Sequence, residues 1–313
     1  MTKEDLSQLS HPLRDLEKEF QLLVEPHRPA LWRYCRMMTG SPWEAEDLVQ
    51  ETLMKTYATL PKLWQPTIPK AFLFRIATNT WLNQCRKAKR LVDEPWEEED
   101  SIDRDTDPFE ARENIEFLVR HLSPRQTVVF LLTEVFDFKA REVAEMAGTT
   151  EGTVKALLHR ARKKLEEKTG ETFFQNEDTP AFSKGETAVV EAYVEAFNRR
   201  DPDAIAKLMD DRVVCDIVHI AEEYGKDVVR QNSLEDWSRD PMPMQTDVKV
   251  LWNKPVFAVM GEKKGQKVLY DLIELEIEDG KIVKKKDYYF CQDLLTAAAE
   301  ALDVPAHLNG YSF

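Results

Sequence analysis

LSPRQTVVFLLTEVFDFKAREVAEMAGTTEGTVKALLHRARKKL, Leu122 to Leu165, divides into three short helical patterns. The first opens on Ser123, Pro124 and Gln126, a serine cap, a proline at the first helical position and a glutamine at the third. Together they satisfy amides that a helix start cannot pair by itself. Val128, Val129, Leu131, Leu132, Val135 and Phe136 recur at helical spacing until Phe136-Asp137-Phe138 interrupts them. A second helix is predicted over Arg141–Ala147, ended by Gly148, which tolerates the left-handed backbone of a sharp turn. Thr149 or Thr150 can then cap the third helix, in which Val154, Leu158, Ala161 and Leu165 form an apolar stripe with Leu157 at its edge. Ala156, His159, Arg160 and Lys163 point the other way, flanked by Lys155 and Arg162. This is the layout of a helix-turn-helix whose last helix offers a basic face to phosphates and fits the major groove. A solvated surface helix is the plainer alternative.

The surrounding chain is acidic. Its 313 residues carry 43 Lys and Arg against 57 Asp and Glu, a net charge of -14. Arg86, Lys87, Lys89, Arg90 and the third helix are basic islands within it. A chain so balanced grips free duplex weakly unless a protein partner supplies the remaining affinity. Cys35, Cys85, Cys215 and Cys291 lie far apart without a CxxC pair, so neither a zinc site nor a disulfide framework is expected, and reduced thiols in a cytoplasmic protein are. No signal peptide and no membrane-spanning run is read, and no cofactor or metal is expected.

Upstream, residues 1 to about 15 are polar and expected to fray. Leu16 to Met38 reads as helix, with Pro26 and Pro29 bending or dividing it and Gly40 ending it. Ser41, Pro42 and Glu44 repeat the capped start seen at Ser123. In the helix that follows, Leu48, Val49, Leu53, Tyr57 and Leu60 form a buried stripe. Asp47, Gln50, Glu51 and Met54 fall on exposed or flanking positions, an acidic and polar face that on its own is ordinary solvated surface. After a break from Pro61 to Pro69, AFLFRIATNTWLNQCRKAKR places Phe72, Leu73, Ile76, Ala77 and Thr80 on a core stripe. Phe74, Arg75, Thr78, Leu82, Arg86 and Lys89 lie on the other side, with Asn79 near the edge. Basic residues interleaved with exposed aromatics suit unpaired bases; equally, Phe74 and Leu82 can pack on the first helix. DEPWEEEDSIDRDTD, Asp93 to Asp107, reads as a flexible acidic linker, and Asp107, Pro108 and Glu110 open a further capped helix through Ile115, Leu118 and Val119.

The AEDLVQET helix, the RIATNTWLNQCR helix, the acidic linker and the LSPRQ…KKL helix-turn-helix, in that order, resemble a group-four (extracytoplasmic-function type) bacterial sigma factor over residues 16 to 170. The resemblance implies two all-α domains, 16–92 and 108–170, joined by the linker 93–107. It implies that Asp47, Leu48, Gln50, Glu51 and Thr52 dock on the clamp helices of the largest subunit of RNA polymerase core, with the flap of the second-largest as a further partner. Asn79, Trp81, Asn83, Arg86 and Lys87 would open and read a minus-ten promoter element as single strand. Thr153, Lys155, Ala156, His159 and Arg160 would face the minus-thirty-five element, with Arg162 and Lys163 on the backbone. Two departures stand out: Ala156-Leu157 replaces the family's frequent Ser-Arg, removing a hydroxyl and a cation, and Asn83 stands where many members have aspartate.

Beyond a polar linker, 171–184, the chain continues with a helical stripe of Val189, Val190, Tyr193, Val194 and Phe197, and a short helix capped by Asp201-Pro202. Strands are predicted over Arg212–Ile220, Asp247–Trp252, Pro255–Met260, Lys267–Ile277 and Lys281–Phe290, with a turn at Gly280 and a closing helix Gln292–Leu302. This order, with AFNRRDPDAI and IEDGKIVKKKDYYF, resembles the cone-shaped α+β fold of NTF2/SnoaL-like domains and assigns 185–305 to one. The implied pocket has Asp216, His219, Trp237, Trp252 and Tyr288 as candidates, with Tyr224 and Asp271 beside them. Asp216 and His219 alternate onto opposite strand faces unless a bulge intervenes, so they are not expected to work as an acid–base pair. No catalysis is expected, and a regulatory domain touching the sigma domains is. The rival readings are a helix-turn-helix regulator with a ligand-sensing domain and a pocket enzyme fused to a DNA-binding module.

Overall fold

The computed structural model describes residues 16, 18–60, 69–91, 121–168, 182 and 184–308. The acidic linker, the capped helix from Asp107 and most of the second linker lie outside the described residues. The chain divides into two compact units, Met1–Asn176 and Glu177–Phe313.

The first unit is helical. Residues 18–24 are helical, and a tight turn at Glu25–His27, with Pro26 near its start, leads into α1 (Arg28–Thr39). The prolines therefore divide the long pattern, as their missing amides require. Gly40 ends α1 at φ 77° and Ser41 caps α2 (Pro42–Thr59). The α3 helix spans Lys70–Leu91. A capping box between Ser123 and Gln126 starts α4 (Pro124–Phe130), which runs on as a π-helical turn over Leu131–Val135. Asp137, at φ 56°, breaks the chain before α5 (Ala140–Ala147), and Gly148, at φ 61°, turns it into α6 (Glu151–Lys168).

An aromatic cluster ties α1, α3 and the segment after α4 together. Tyr34 stacks on Phe74 with centroids 4.8 Å apart, and Phe136 meets Tyr34 at 5.3 Å and Phe74 at 5.1 Å. Phe138 reaches Phe74 at 5.4 Å, and the Tyr34 hydroxyl pairs with Thr78 Oγ1 at 2.8 Å. Of the two uses open to Phe74 and Leu82, the structure takes packing: they are 0% and 5% exposed. Phe72 and Ile76, expected in the core, are only half-buried. The buried arc of α3 is thus turned by about one residue step, roughly 100°, because α1 and α2 line one side of the helix and the helix-turn-helix segment the other.

In α6, Val154, Ala161 and Leu165 are buried as expected. Leu157, placed at the stripe's edge, is buried as well, whereas Leu158 is half-exposed. Leu157 shares a small crevice with Leu82, Val128 and Val129, which supplies the apolar neighbour that the helix pattern alone could not reveal.

The second unit meets the α+β expectation. Helices α7 (Lys184–Asn198) and α8 (Pro202–Leu208) precede a six-stranded sheet in the order β2-β1-β6-β5-β4-β3. Its strands are β1 (Met209–Ile217), β2 (Ala221–Tyr224), β3 (Met244–Leu251), β4 (Lys254–Lys263), β5 (Gln266–Glu278) and β6 (Lys281–Asp287). Between β2 and β3 lie α9 (Lys226–Gln231) and α10 (Ser233–Arg239), and α11 (Gln292–Ala301) follows the sheet. The hairpins β3–β4, β4–β5 and β5–β6 turn through Trp252-Asn253, Lys264-Gly265 and Asp279-Gly280, each pair with both φ positive, the geometry that matches strand twist. The first predicted strand ends three residues early, at Ile217. His219 sits in the following turn at φ 75°, so the alternation that would have set it against Asp216 does not reach it. The last strand also ends early, at Asp287.

Register places Cys215, Ile217, Phe257, Val259, Asp271, Ile273, Lys285 and Asp287 on one sheet face. Tyr193 and Phe197 of α7 join that core. Where Val259 pairs with Asp271 but Met260 pairs with Leu269, β5 carries an extra residue, Tyr270. Such a bulge turns two neighbouring side chains to one side, and both Tyr270 and Asp271 line the resulting cavity.

Candidate nucleic-acid interface

Three helical faces of the first unit are available to partners. On α2, Asp47 and Met54 are exposed and Gln50 and Glu51 half-exposed. The spacing i, i+3, i+4, i+7 places all four on one face. Glu51 is held in place: its carboxylate accepts from Lys55 Nζ at 2.6 Å and from Gln84 Nε2 of α3 at 2.8 Å. Leu48 and Thr52 are 1% and 0% exposed, so these two support the face from beneath. Met54, at 64% exposure, was visible in the sequence as an apolar residue among acids yet stood outside the expected contact set.

On α3, Asn79, Asn83, Arg86 and Lys87 are exposed together with Arg75. Arg75, Asn79, Asn83 and Arg86 follow one another at steps of four, four and three, a stripe along a single side. Half-buried Phe72 lies on that side with the Arg75 guanidinium 5.2 Å from its ring centre. Trp81, from the same expected set, is on the opposite side and 4% exposed. The aromatic available beside the cationic stripe is therefore Phe72, which the sequence reading placed in the core.

On α6, Lys155, Ala156, His159, Arg160, Arg162 and Lys163 are all exposed and Thr153 is half-exposed. Thr150 caps the helix, its Oγ1 accepting from the Thr153 amide at 3.2 Å and lying 2.9 Å from Thr153 Oγ1. Arg162 reaches back to Glu134 at 2.6 Å, an exposed ion pair between α6 and the π-helical turn after α4.

The second unit's cavity, about 320 Å³, gathers a different set from the one expected. Trp237 and Asp271 line it; Asp216, His219, Tyr224, Trp252 and Tyr288 do not. Asp216 registers with Lys286 on the other sheet face, where the Tyr288 hydroxyl donates to Glu274 at 2.7 Å. Trp252 is a turn residue, and exposed Tyr224 binds Glu222. The polar groups in the cavity are Tyr193, Tyr270, Tyr289, Ser233, Asp236, Asp240, Asp271, Lys285 and Asp287. Lys285 and Asp287 form a buried ion pair, and Cys215 Sγ lies 3.5 Å from Asp287. Burial and the Asp287 charge raise the Asp271 carboxyl well above the usual range, although it accepts from the Leu272 amide at 2.7 Å. Burial pushes the Cys215 thiol up to about 12. Burial alone would lower Lys285, but Asp287 outweighs it and holds the ammonium above its ordinary value. All four cysteines are free thiols, and no described helix is long and apolar enough to cross a membrane.

Residues 23–91 match the family description Sigma-70 region 2, and residues 112–165 match Sigma-70, region 4. The RNA polymerase sigma-E factor of Streptomyces avermitilis is 31% identical over 151 residues, covering 48% of this chain and 84% of that protein. The chain belongs to the ECF sigma factor family. Among its relatives, ECF RNA polymerase sigma factor SigG of Mycobacterium tuberculosis is 34% identical over 184 residues, 50% of each chain. The chain thus spans about half the length of that ECF relative. Probable ECF RNA polymerase sigma factor SigI of the same organism matches at 25% identity over 272 residues, 82% of this chain and 89% of its own. A solved structure of the M. tuberculosis extracytoplasmic function sigma factor SigJ covers 84% of this chain and 94% of its own at 22% identity and a TM-score of 0.32. The α+β unit is the part of this ECF chain that lies outside both matched regions.

Proposed function

We propose that this chain is a promoter-specificity subunit that binds RNA polymerase core, opens a minus-ten element and reads a minus-thirty-five element, with no catalysis of its own. One observation supports it most: two exposed cationic or amide-bearing faces on separate helices, α3 and α6, accompany an acidic face on α2. A simple DNA-binding regulator has no use for the acidic face. Asp47, Gln50, Glu51 and Met54 dock on the clamp helices of the largest subunit, with Leu48 and Thr52 holding the face in shape, and the flap of the second-largest subunit engages the helix-turn-helix domain. Asn79, Asn83, Arg86, Lys87 and Arg75 take the melted minus-ten strand, phosphates meeting charge while Phe72 offers a ring for stacking. Thr153, Lys155, Ala156, His159 and Arg160 meet base edges, and Arg162 and Lys163 the backbone. The working parts are residues 16–92, the linker 93–107, residues 108–170 and, after a linker at 171–184, a SnoaL-like domain over 185–305 that regulates the other two, all in the cytoplasm.

In vitro transcription with purified core, comparing the full chain with one ending near Glu171, tests this. Both forms are expected to bind core, and the full chain to direct initiation at discrete start sites with an output that differs from that of the truncated form. Failure of the full chain to bind core overturns the proposal.

A further inference from the structure

Phe136-Asp137-Phe138 has no place on the docking or reading faces, yet its backbone departs from regular geometry. Helix α4 loosens into the π-helical turn Leu131–Val135, where the Phe136 amide donates to Leu131 O at 3.1 Å, and Asp137 takes a left-handed φ of 56°. Single π-helical turns and left-handed non-glycine residues persist where something depends on them. Here they deliver two rings to α1 and α3. Phe136 meets Tyr34 at 5.3 Å and Phe74 at 5.1 Å, and Phe138 meets Phe74 at 5.4 Å. Lys70 Nζ lies 5.2, 5.5 and 5.4 Å from the centres of Phe74, Phe136 and Phe138, so one ammonium is attracted by rings on both sides of the contact. Tyr34, Lys70 and Phe74 belong to the region 2 match, Phe136 and Phe138 to the region 4 match.

A second contact joins the reading helices themselves. Leu82 of α3 and Leu157 of α6 line one crevice with Val128 and Val129, and it encloses only about 10 Å³, so its walls nearly touch. Leu82 precedes Asn83 and Leu157 follows Ala156, which puts residues assigned to the two promoter elements one position from a shared wall. Those elements are named for positions about 25 base pairs apart, about 85 Å of duplex at about 3.4 Å per pair, and duplex stays nearly straight over so short a length. Reading faces joined by one small crevice cannot cover both.

We propose that Phe136-Asp137-Phe138 is a plug that, with Lys70, holds the helix-turn-helix domain against α1 and α3, and that this packed form is the resting state of the free chain, opened when polymerase and promoter draw the reading helices apart. Leu157, standing where the family often has arginine, extends the seal to α6. The plug rests on the ring contacts alone, whereas its consequence for initiation rests on the promoter reading.

The test measures a distance in the full chain by double electron–electron resonance. The nitroxides are carried on p-acetylphenylalanine replacing Glu25 and Glu166, both exposed and neither assigned to a docking or reading face, so the native cysteines stay untouched. The free chain is expected to give one short, narrow distribution, which becomes long when core polymerase and promoter DNA are added. Phe136→Ala, which removes two ring pairs, raises the long-distance population of the free chain about tenfold. Lys70→Gln moves it the same way, and Lys70→Arg, which keeps the cation, does not. A long distance in the unmodified free chain, an unchanged distribution in folded Phe136→Ala, or a short distance kept in a complex that initiates transcription each overturns the proposal. A chain that initiates nowhere overturns the promoter reading and the plug's part in it, while the free-chain distances still decide whether the plug holds the domains together.

Discussion

Phe74→Ala separates two uses of the α3 helix, because an aromatic that stacks on an unpaired base and one that holds the fold together respond to truncation in opposite ways. Phe74 is 0% exposed, with Tyr34, Phe136 and Phe138 around it at 4.8, 5.1 and 5.4 Å. Removing a fully buried phenyl ring costs about 4 kcal/mol, lost transfer energy plus the cavity left behind. The three ring contacts are part of that figure, since they vanish together. With a urea dependence of about 2 kcal/mol per molar, the transition of the first unit should fall by about 2 M at unchanged slope. Circular dichroism against urea measures the shift, and amide exchange on α1 to α3 assigns it to this unit. Phe72→Ala is the contrast: half-buried and on the cationic side, it should cost stability much less and weaken promoter opening instead. A Phe74→Ala chain that keeps its urea midpoint within about 0.5 M and loses promoter opening would refute the packing argument.

Four further outcomes follow from particular contacts. Asn79→Ala with Arg86→Ala should leave stability within about 0.5 kcal/mol, both being exposed, while reducing strand opening reported by 2-aminopurine in the minus-ten element. If Lys155 meets a phosphate, Lys155→Ala should lower the salt slope of holoenzyme binding by about one, whereas a base contact would relax sequence preference instead. Gly148→Ala should destabilise the first unit by about 1 kcal/mol through its left-handed backbone alone, since nothing lies within 4 Å of the added methyl; an unchanged urea midpoint would show that the turn does not need glycine. For Asp271 the folded carboxyl is raised, so the folded state binds the proton more tightly and stability falls as pH rises from the ordinary carboxylate range toward the raised value. Asp271→Asn should remove that decline in thermal unfolding of the second unit, and an unaltered pH profile would count against it.

What could be read from sequence followed local chemistry. Ser123, Gln126, Gly40 and Gly148 announce their caps and turns because each acts on its own backbone within a few residues, and all are found in those roles. The exposed faces of α2 and α6 were legible because their polar residues recur at helical spacing on the side away from the buried stripe. Periodicity failed on α3 because two neighbours cover it, widening the buried arc beyond a single stripe and drawing Phe74, Thr78 and Leu82 inside. It failed again for the cavity. Asp216 and His219 were plausible by residue type, but the strand stops at Ile217, and the groups that do converge, Tyr193, Asp271, Lys285 and Asp287, come from α7, β5 and β6. Only sheet register and a bulge at Tyr270 bring those together, and neither leaves a local mark.

The departure at Ala156-Leu157 gains a physical meaning from the fold. Leu157 is 7% exposed and faces Leu82, Val128 and Val129, so it is a packing residue and not a blunted DNA contact. Arginine there would have to leave the crevice or bury its charge, and either course loosens α6 from its neighbours. On the promoter reading, base discrimination then rests on few side chains, chiefly His159, Arg160 and Lys155, and a good bidentate pair contributes only about 1 to 3 kcal/mol. A helix so equipped, in a chain of net charge -14, cannot hold duplex tightly by itself. On the promoter reading its contact counts when core polymerase fixes α6 and α3 on one promoter together, since a second weak contact then forms at high effective concentration. On that reading, selectivity comes from the spacing of two weak contacts more than from the strength of either.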